Sequence, residues 1–301
     1  MQGIVQEIQS EIEAIARGEA LYEEANFNDR VEAIDFIEFN IIERIEGLLL
    51  TEDQVQELAA LKQYAEMVKN QLEETNKNLF QKLRANIRSG LCTGAELRRQ
   101  LAEYAGCNST EIGQDDIGYD SLDAFLSGLL LIEGTPGETK ERQPEMVFYQ
   151  PTPARIVLEL IERASLKKED VFYDVGSGLG HVSMLVDLLS GVRAKGVEFE
   201  PAYCDYARQC AKELNLSRVE FINADAREVD YSDGTVFFMY TPFEGRLLQE
   251  VLEKLKCESR KRKIRVCTYG PCTLQVSRQS WLKRVDQNGN SVHKLAVFES
   301  I

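Results

Sequence analysis

The stretch over residues 171–188 constrains the fold of this chain more than any other. It reads VFYDVGSGLGHVSMLVDL, in which a short run of β-formers is followed by glycines at alternate positions and then by an apolar segment. Glycine allows positive φ and lets a ligand approach the main chain, and the helix that follows offers unpaired N–H groups. The stretch therefore predicts a strand, a tight turn and a helix that together hold a nucleotide-like ligand at the carboxyl end of a sheet.

The spacing of these glycines argues against a dinucleotide. The fingerprint G-x-G-x-x-G/A fails in both frames, because its last position falls on His181 or on Ser183. The chain instead offers D-x-G-x-G-x-G, in which a carboxylate can accept a hydrogen bond from a ligand ammonium group. This pattern resembles motif I of class I S-adenosylmethionine-dependent methyltransferases. The resemblance implies S-adenosylmethionine as the cofactor, bound by Asp174, Gly176, Gly178 and Gly180.

Composition sets the broad class of the protein. The 301 residues suffice for two domains, and 44% apolar with 28% charged residues is typical of a globular protein. No segment approaches the roughly 20 apolar residues of a membrane span, and the first residues, MQGIVQEIQS, lack the pattern of a secretory signal. The cysteines, odd in number at seven, form no C-x-x-C pair, so we expect reduced thiols and no metal site. These features predict a cytoplasmic protein without membrane partners.

Charge is distributed unevenly between the two halves of the chain. Residues 1–150 hold 29 acidic and 13 basic side chains, whereas residues 151–301 hold 21 and 22. A strongly acidic half repels a nucleic-acid backbone, so nucleic acid is not the favoured partner. The acidic half is interpreted as a helical domain with a solvated acidic face, or as a surface that docks a basic partner.

Residues 1–145 carry apolar residues at the helical period and are predicted to be an all-α domain. The predicted helices cover residues 4–17, 22–50, 51–90, 93–106 and 122–131. Capping boxes mark two of the starts, at Thr51 with Gln54 and at Thr93 with Glu96, and Ser121 is the predicted N-cap of the last helix. Glycine, proline and charged residues over 134–144 predict a linker. We expect this domain to serve as a substrate platform, a lid or an oligomerisation surface.

Residues 146–301 alternate between strand and helix patterns, which predicts a parallel sheet with helices on both faces. The tail differs, because residues 281–286 and 293–300 read as two strands joined by a turn at 287–290. A parallel sheet that ends in an antiparallel hairpin resembles the class I methyltransferase architecture. The predicted fold is therefore a Rossmann-like class I methyltransferase sheet with a C-terminal antiparallel hairpin, preceded by the all-α domain.

Further acidic residues follow the next two strands. Glu198 ends the second strand, where a carboxylate can bind both ribose hydroxyls, and Glu200 is the alternative two residues later. Asp225 ends the third strand between two alanines, which leave space for a flat ring whose exocyclic amine the carboxylate can accept. Either acid could instead be solvated. Their position at successive strand ends beside the glycine turn favours a cofactor site.

The fourth strand ends in Tyr240-Thr241-Pro242-Phe243. Enzymes that methylate amines often carry Asn, Asp or Ser, then Pro-Pro and an aromatic residue here, and this chain departs from that pattern in its first two positions. Tyr240 is predicted to form a hydrogen bond with the nucleophile and Phe243 to form a wall beside it, with strand-end packing as the alternative for both. His181 is interpreted as structural. The basic cluster over residues 254–265 is interpreted as a phosphate site, a site for an acidic tail, a solvated loop, or a partner for the acidic N-terminal half.

Residues 148–199 resemble the seven-strand, non-SET protein-lysine methyltransferases, including the histone enzyme of telomeric silencing and the family that modifies a mitochondrial ATP synthase subunit. The resemblance rests on YQPTP before a helix, then DVGSGLG, then GVEFEP. It implies that the loop before the helix closes over the methionine end of the cofactor, with Tyr149 and Thr152 there. The predicted activity is N-methylation of a protein lysine. The alternatives are an RNA or small-molecule acceptor, or cofactor binding without turnover.

Overall fold

The computed structural model describes residues 2–50, 55–106, 119–286 and 291–301. The predicted capping box of Thr51 with Gln54 and the predicted hairpin turn at 287–290 lie outside these residues. The chain forms two compact units, one of Met1–Ala85 with Arg99–Ser109 and the other of Asn86–Arg98 with Thr110–Ile301. Among the described helices, none is both long and apolar enough to cross a membrane.

The first part of the chain is helical, as its apolar periodicity predicts. Its elements are α1 at Gln2–Ala16, a 3₁₀ helix at Glu19–Tyr22, α2 at Phe27–Asp35, a π-helix at Phe36–Ile42, α3 at Glu43–Leu49, α4 at Val55–Arg88 and α5 at Gly94–Ala105. The predicted helix over 22–50 is therefore three consecutive helical segments whose middle segment is wound more loosely. Gly90, with φ at +76°, follows the end of α4, as expected of a C-terminal glycine.

The core of the first unit is built from the apolar stripe of each helix. Ile8 and Ile12 of α1, Ile41 of the π-helix and Leu58 and Leu72 of α4 are buried in one cluster. These positions recur every three or four residues, so each helix places them on one side. Burial of such aliphatic side chains stabilises the unit by about 2 kcal/mol each.

One charged side chain, Arg30 of α2, is fully buried in the first unit. Its Nη1 donates to the carbonyl oxygens of Leu21 at 2.9 Å and Glu23 at 2.8 Å, and its Nε donates to Asn76 Oδ1 at 2.6 Å. Burial lowers the pKa of Arg30, but these acceptors compensate the guanidinium. Arg30 thus ties the 3₁₀ helix and the loop after it to α2 and α4.

Helix α6 at Ser121–Leu129 begins with a cap on Asp120. The Asp120 carboxylate accepts the N–H of Leu122 at 2.9 Å, and the Asp123 carboxylate accepts the N–H of Asp120 at 2.9 Å. The prediction of Ser121 as N-cap is wrong because the preceding aspartate, together with Asp123, completes a capping box. Asp123 also accepts the N–H of Ala154 at 2.8 Å, which connects α6 to the start of α7.

The second unit contains a seven-stranded sheet, which confirms the predicted α/β fold. Its strands are β1 at Val171–Val175, β2 at Arg193–Glu198, β3 at Val219–Asn223, β4 at Val236–Tyr240, β5 at Arg265–Tyr269, β6 at Leu282–Arg284 and β7 at Ala296–Ser300. Their order is β3-β2-β1-β4-β5-β7-β6. Strands β1 to β5 are parallel, and β7 runs antiparallel to both β5 and β6, which confirms the C-terminal antiparallel hairpin.

Helices connect the strands as the sequence pattern predicts. They are α7 at Ala154–Arg163, α8 at His181–Ser190, α9 at Pro201–Glu213, α10 at Gly245–Ser259 and α11 at Cys272–Val276. The sequence does not predict α11, because five residues are too few to show a helical period. The chain moves outward from β1 to β3 and returns to β4, so the switch point of the sheet lies between β1 and β4. Open α/β sheets bind their ligands at this position.

We expect Arg30→Met to lower the free energy of unfolding by about 3 kcal/mol, because the carbonyls of Leu21 and Glu23 and the amide of Asn76 lose their buried donor. Urea unfolding followed by circular dichroism measures this. Arg17→Met is the matched control, because Arg17 makes an exposed ion pair with Glu13, and it is expected to change stability by less than about 0.5 kcal/mol. Equal stability of the two variants would contradict the structural role of Arg30.

Candidate active site

The glycine turn between β1 and α8 has a backbone that only glycine adopts readily. Its φ angles are +84°, +51° and +85° at Gly176, Gly178 and Gly180. A Cβ atom at Gly178 would lie 2.1 Å from the ring of Tyr149, and one at Gly176 would lie 2.2 Å from Pro242 Cβ. The turn is thus fixed both by its backbone conformation and by the close approach of two other loops.

Asp174 lies in β1, two residues before the turn, and its side chain is buried. Its Oδ2 atom has no hydrogen-bond partner among the described residues. Burial, together with the nearby Glu198 carboxylate, raises the pKa of Asp174 to about 8. A buried carboxylate oxygen without a partner is costly, and a cationic ligand group would relieve that cost. This arrangement fits the ammonium group of an amino-acid moiety.

Glu198, the last residue of β2, links the glycine turn to the second strand. Its carboxylate accepts the N–H of Gly178 at 2.8 Å and the N–H of Glu200 at 2.8 Å, and burial raises its pKa. Glu200, the alternative, is the N-cap of α9 and accepts from the hydroxyl of Thr139 at 2.5 Å and the N–H of Lys140 at 2.9 Å. Although desolvation opposes them, these hydrogen bonds lower the pKa of Glu200 to about 2. Glu200 therefore already has a structural function.

Asp225 follows β3 and forms a close ion pair with Arg227. The shortest contact joins Arg227 Nη2 to Asp225 Oδ2 at 2.6 Å, and Gln143 Nε2 donates to the same oxygen at 3.3 Å. The Arg227 hydrogen bonds lower the pKa of Asp225 to about 2. Arg227 also donates to Gln143 Oε1 at 2.7 Å, so the three side chains form one polar network. Among the side-chain hydrogen bonds that Asp225 accepts from Arg227 and Gln143, the one from Gln143 is the longest.

Residues 138–149, which we call the strap, lie along the carboxyl ends of the strands, although part of this segment is predicted as a linker. Val147 N–H donates to the carbonyl of Pro242 at 3.1 Å, next to an antiparallel bridge between Met146 and Phe243. Glu145 has φ of +74°, and its Oε2 accepts the N–H of Leu247 at 2.9 Å in the first turn of α10. Sequence analysis could not find these contacts, because the partners are about 100 residues apart and have no local pattern.

Aromatic side chains form the part of the site at the ends of β4 and β5. Tyr240 and Tyr269 are register partners, and their ring centroids are 4.9 Å apart. Phe148 of the strap is 69% exposed, with the guanidinium of Arg142 over its ring at 3.4 Å. Phe243 borders the cavity but is 4% exposed and belongs to the core cluster beside α10. Tyr269 and Phe148 were not predicted as site residues, because neither belongs to a recognisable motif.

A cavity of about 310 Å³ lies at this edge of the sheet, and six of the ten predicted site residues line it. Among the predicted residues, the lining includes Tyr149, Gly176, Glu198, Asp225, Tyr240 and Phe243. The other predicted residues do not line the cavity; these are Thr152, Asp174, Gly178 and Gly180. The cavity therefore has an acidic part beside the ends of β2 and β3 and an aromatic part beside the ends of β4 and β5.

His181, the first residue of α8, does not line this cavity. Burial lowers its pKa to about 4, and its Nδ1 lies 3.4 Å from the hydroxyl of Tyr149. A neutral buried imidazole that contacts the strap agrees with the structural role predicted from sequence.

The strand order, the antiparallel seventh strand and the glycine turn define the class of this part of the chain. It is a class I methyltransferase domain, a class that uses S-adenosylmethionine as its cofactor. Residues 145–256 match the family model described as Histone methylation protein DOT1.

The chain is similar to enzymes whose names give two different kinds of substrate. The chain is 30% identical over 112 residues to a Protein-lysine N-methyltransferase of Saccharolobus islandicus, which is 36% of this chain and 66% of that protein. It is 34% identical over 91 residues to a Probable ribosomal RNA small subunit methyltransferase A of Thermococcus onnurineus, which is 30% of this chain and 31% of that protein. The chain thus spans less than two thirds of the length of either relative.

Part of the chain is also similar to a solved structure. The RNA methyltransferase of Salinibacter ruber, in complex with S-adenosyl-L-homocysteine, is 28% identical, with a TM-score of 0.39. That comparison covers 50% of this chain and 92% of the other.

The raised pKa of Asp174 predicts how stability depends on pH. Its folded pKa of about 8 is above the ordinary value of about 3.9, so folding takes up a proton between these values. The contribution that protonation of Asp174 makes to the free energy of unfolding is complete below pH 4 and is lost as the pH rises towards 8. Asp174→Asn cannot ionise, so we expect it to exceed the wild type by at least about 1 kcal/mol in free energy of unfolding at pH 8.

Urea unfolding at a series of pH values without ligand measures this difference. Asp205→Asn is the control, because the Asp205 side chain is 71% exposed and should follow the wild-type curve. Parallel curves for Asp174→Asn and the wild type would show that Asp174 has an ordinary pKa.

Proposed function

We propose that this protein transfers a methyl group from S-adenosylmethionine to the side-chain nitrogen of a protein lysine. The observation that carries the proposal is the aromatic part of the cavity, which is lined by Tyr240, Tyr269 and Phe148 and also by Gly176 of the glycine turn. Such walls accommodate the aliphatic stem of a lysine. They also desolvate its amine, which lowers the pKa of the amine and favours the neutral nucleophile.

The acidic part of the cavity supports a division of roles among the predicted cofactor residues. Asp174 would accept from the ammonium group of the cofactor, and Glu198 would accept from the ribose hydroxyls while it holds Gly178 in place. Asp225 would accept from the adenine amine once Gln143, its longest contact at 3.3 Å, moves aside. Tyr149, packed on Gly178, would cover the methionine end, with Thr152 behind it.

The cofactor would supply an electrophilic methyl group on a sulfonium. The task of the protein is then to orient a neutral amine and to exclude water. Tyr240 is suited to orientation, because its ring packs on Tyr269 and its hydroxyl lies 3.5 Å from Gln150 Oε1. Phe243 would support this wall from the core side. No general base is needed in the cavity when the amine arrives unprotonated and the product releases its proton to solvent.

The contacts that the basic cluster over residues 254–265 makes within the protein favour a protein acceptor over RNA. Lys254 donates to the carbonyl of Arg227, Arg262 to the carbonyls of Gly234 and Tyr231, and Arg265 pairs with Asp170. These three cations stabilise the second unit, and Lys256 and Lys261 pair with Glu253 and Glu258, so most of the cluster is engaged within the protein. With a net charge of -15, the chain is a poor match for RNA. The helical domain of residues 1–145 would then serve as a platform for the protein substrate.

Transfer of tritium from labelled S-adenosylmethionine into a cell extract tests the acceptor class. We expect labelled protein bands that resist ribonuclease and yield methyl-lysine on hydrolysis. Tyr240→Ala should lower the transfer rate about 100-fold, and Tyr240→Phe less than about threefold, because the ring and not the hydroxyl orients the amine. Label confined to RNA or small molecules would overturn the lysine proposal, and equal losses in the two variants would point to the hydroxyl.

Calorimetry with S-adenosylhomocysteine tests the cofactor site separately. Glu198→Ala should weaken binding by about 10- to 100-fold, which corresponds to about 1.4–2.7 kcal/mol, because the ribose contact and the anchor of Gly178 are both lost. Glu220→Ala is the matched control, because Glu220 is 61% exposed on the neighbouring strand and should bind as the wild type does. Unchanged binding by Glu198→Ala would remove Glu198 from the site.

A further inference from the structure

The helical segment from α2 through the π-helix to α3 presents an outward face that is both aromatic and acidic. We define the outer face as Glu32, Asp35, Phe36, Phe39 and Glu43, all of which are exposed. Phe39 is 60% exposed and Phe36 is 38% exposed. All five are exposed whereas Ile37, Ile41 and Ile45 of the same segment are buried, so the five side chains lie on the solvent-facing side.

The opposite side of the same segment packs into the core of the first unit. Ile37, Ile41 and Ile45 are fully buried in the core of the first unit. Phe36 and Phe39 therefore do not belong to the core, because other residues of the segment form its core-facing side. The loosely wound π-helix at Phe36–Ile42 carries both of them, and such segments are rare and frequently occur at functional sites.

The charge of the outer face is not neutralised by the unit that carries it. The basic side chains of the first unit are all engaged elsewhere: in ion pairs for Arg17, Arg44, Lys62, Lys69, Lys77, Lys82 and Arg99, in buried hydrogen bonds for Arg30, and over the ring of Phe80 for Arg84. Nearby acids such as Glu38 and Glu46 pair with Lys69 and Lys62. No ion pair joins Glu32, Asp35 or Glu43 to a described residue.

We propose that the outer face docks a lysine- and arginine-rich segment of the protein substrate. This inference rests on the proposed protein acceptor. Cationic side chains would pair with the three carboxylates, and their apolar stems or guanidinium planes would lie on Phe36 and Phe39. A second copy of this chain does not fit, because two outer faces would bring like charges together.

The matching partner is a basic peptide segment, and a short fluorescein-labelled peptide made of lysine and leucine is the probe. We expect it to bind the full chain with an affinity that falls as salt is added, whereas a peptide with glutamate in place of lysine should not bind. The double variants Phe36→Ala/Phe39→Ala and Glu32→Lys/Asp35→Lys should each weaken binding of the lysine peptide about tenfold or more. Fluorescence anisotropy measures these affinities.

The control variant Glu19→Lys/Glu57→Lys changes the net charge equally at two exposed positions of the first unit outside the outer face. It should weaken binding less than about threefold. An equal loss in this control would show that net charge alone attracts the peptide, and an unchanged affinity in the phenylalanine variant would exclude the outer face. A dimer in solution that Phe36→Ala/Phe39→Ala dissociates would assign the face to self-association and overturn the proposal.

Two further measurements separate this inference from the proposed function. The outer-face variants should bind S-adenosylhomocysteine as the wild type does and keep their helical circular dichroism, because they alter neither the cavity nor the core. With a labelled protein acceptor from the extract, they should raise KM about tenfold and leave kcat unchanged. Failure of methyl transfer in the wild type would refute the enzymatic proposal while peptide binding still reports on the outer face.

Discussion

The buried carboxylate of Asp174 is the constraint on which the rest of the site depends. An ionised carboxylate with one unpartnered oxygen is unstable in a protein interior, so the pKa of Asp174 rises to about 8 in the ligand-free protein. Its carboxylate is therefore maintained at the expense of stability, as is common at binding sites. The glycine turn beside it is constrained as well, because its positive φ angles and the close approach of Tyr149 and Pro242 leave no room for a side chain at Gly178 or Gly176.

The strap forms one wall of the cavity at this edge of the sheet. Glu200 fixes one end of the strap by accepting from Thr139 and Lys140, and Glu145 fixes the other by capping α10. Between these anchors Gln143 donates to Asp225 at 3.3 Å and accepts from Arg227 at 2.7 Å. The proposed contact of Asp225 with adenine would therefore require the Gln143 side chain to leave both partners, while the two anchors hold the strap in place.

Sequence analysis succeeded where the signal is local. The glycine turn, the strand-end position of Glu198 and the alternation of strands and helices are all written in short spacings, and the seven-stranded sheet follows from them. Features that depend on which residues pack or pair together are not predicted. Asp120 and not Ser121 caps α6 because Asp123 completes the box, and Tyr269 joins the site only because β5 pairs with β4. Residues 138–144 of the strap are predicted as a linker because proline and glycine mark irregular backbone, whether or not that backbone is packed.

Under the proposed function, attraction of a basic protein and desolvation of its lysine would make opposite demands on charge, and different residues would meet them. Long-range attraction benefits from the net charge of -15 and from unpaired acids such as those of the outer face, and it is screened by salt over about 8–10 Å. A carboxylate close to the amine would instead stabilise the ammonium form and oppose nucleophilic attack. The side chains of Tyr240, Tyr269 and Phe148 supply an aromatic wall, while Glu198 and Asp225 lie at the ends of β2 and β3. Under the proposed function, the acidic charge would recruit a basic protein from a distance, and the aromatic wall would favour the neutral form of its lysine.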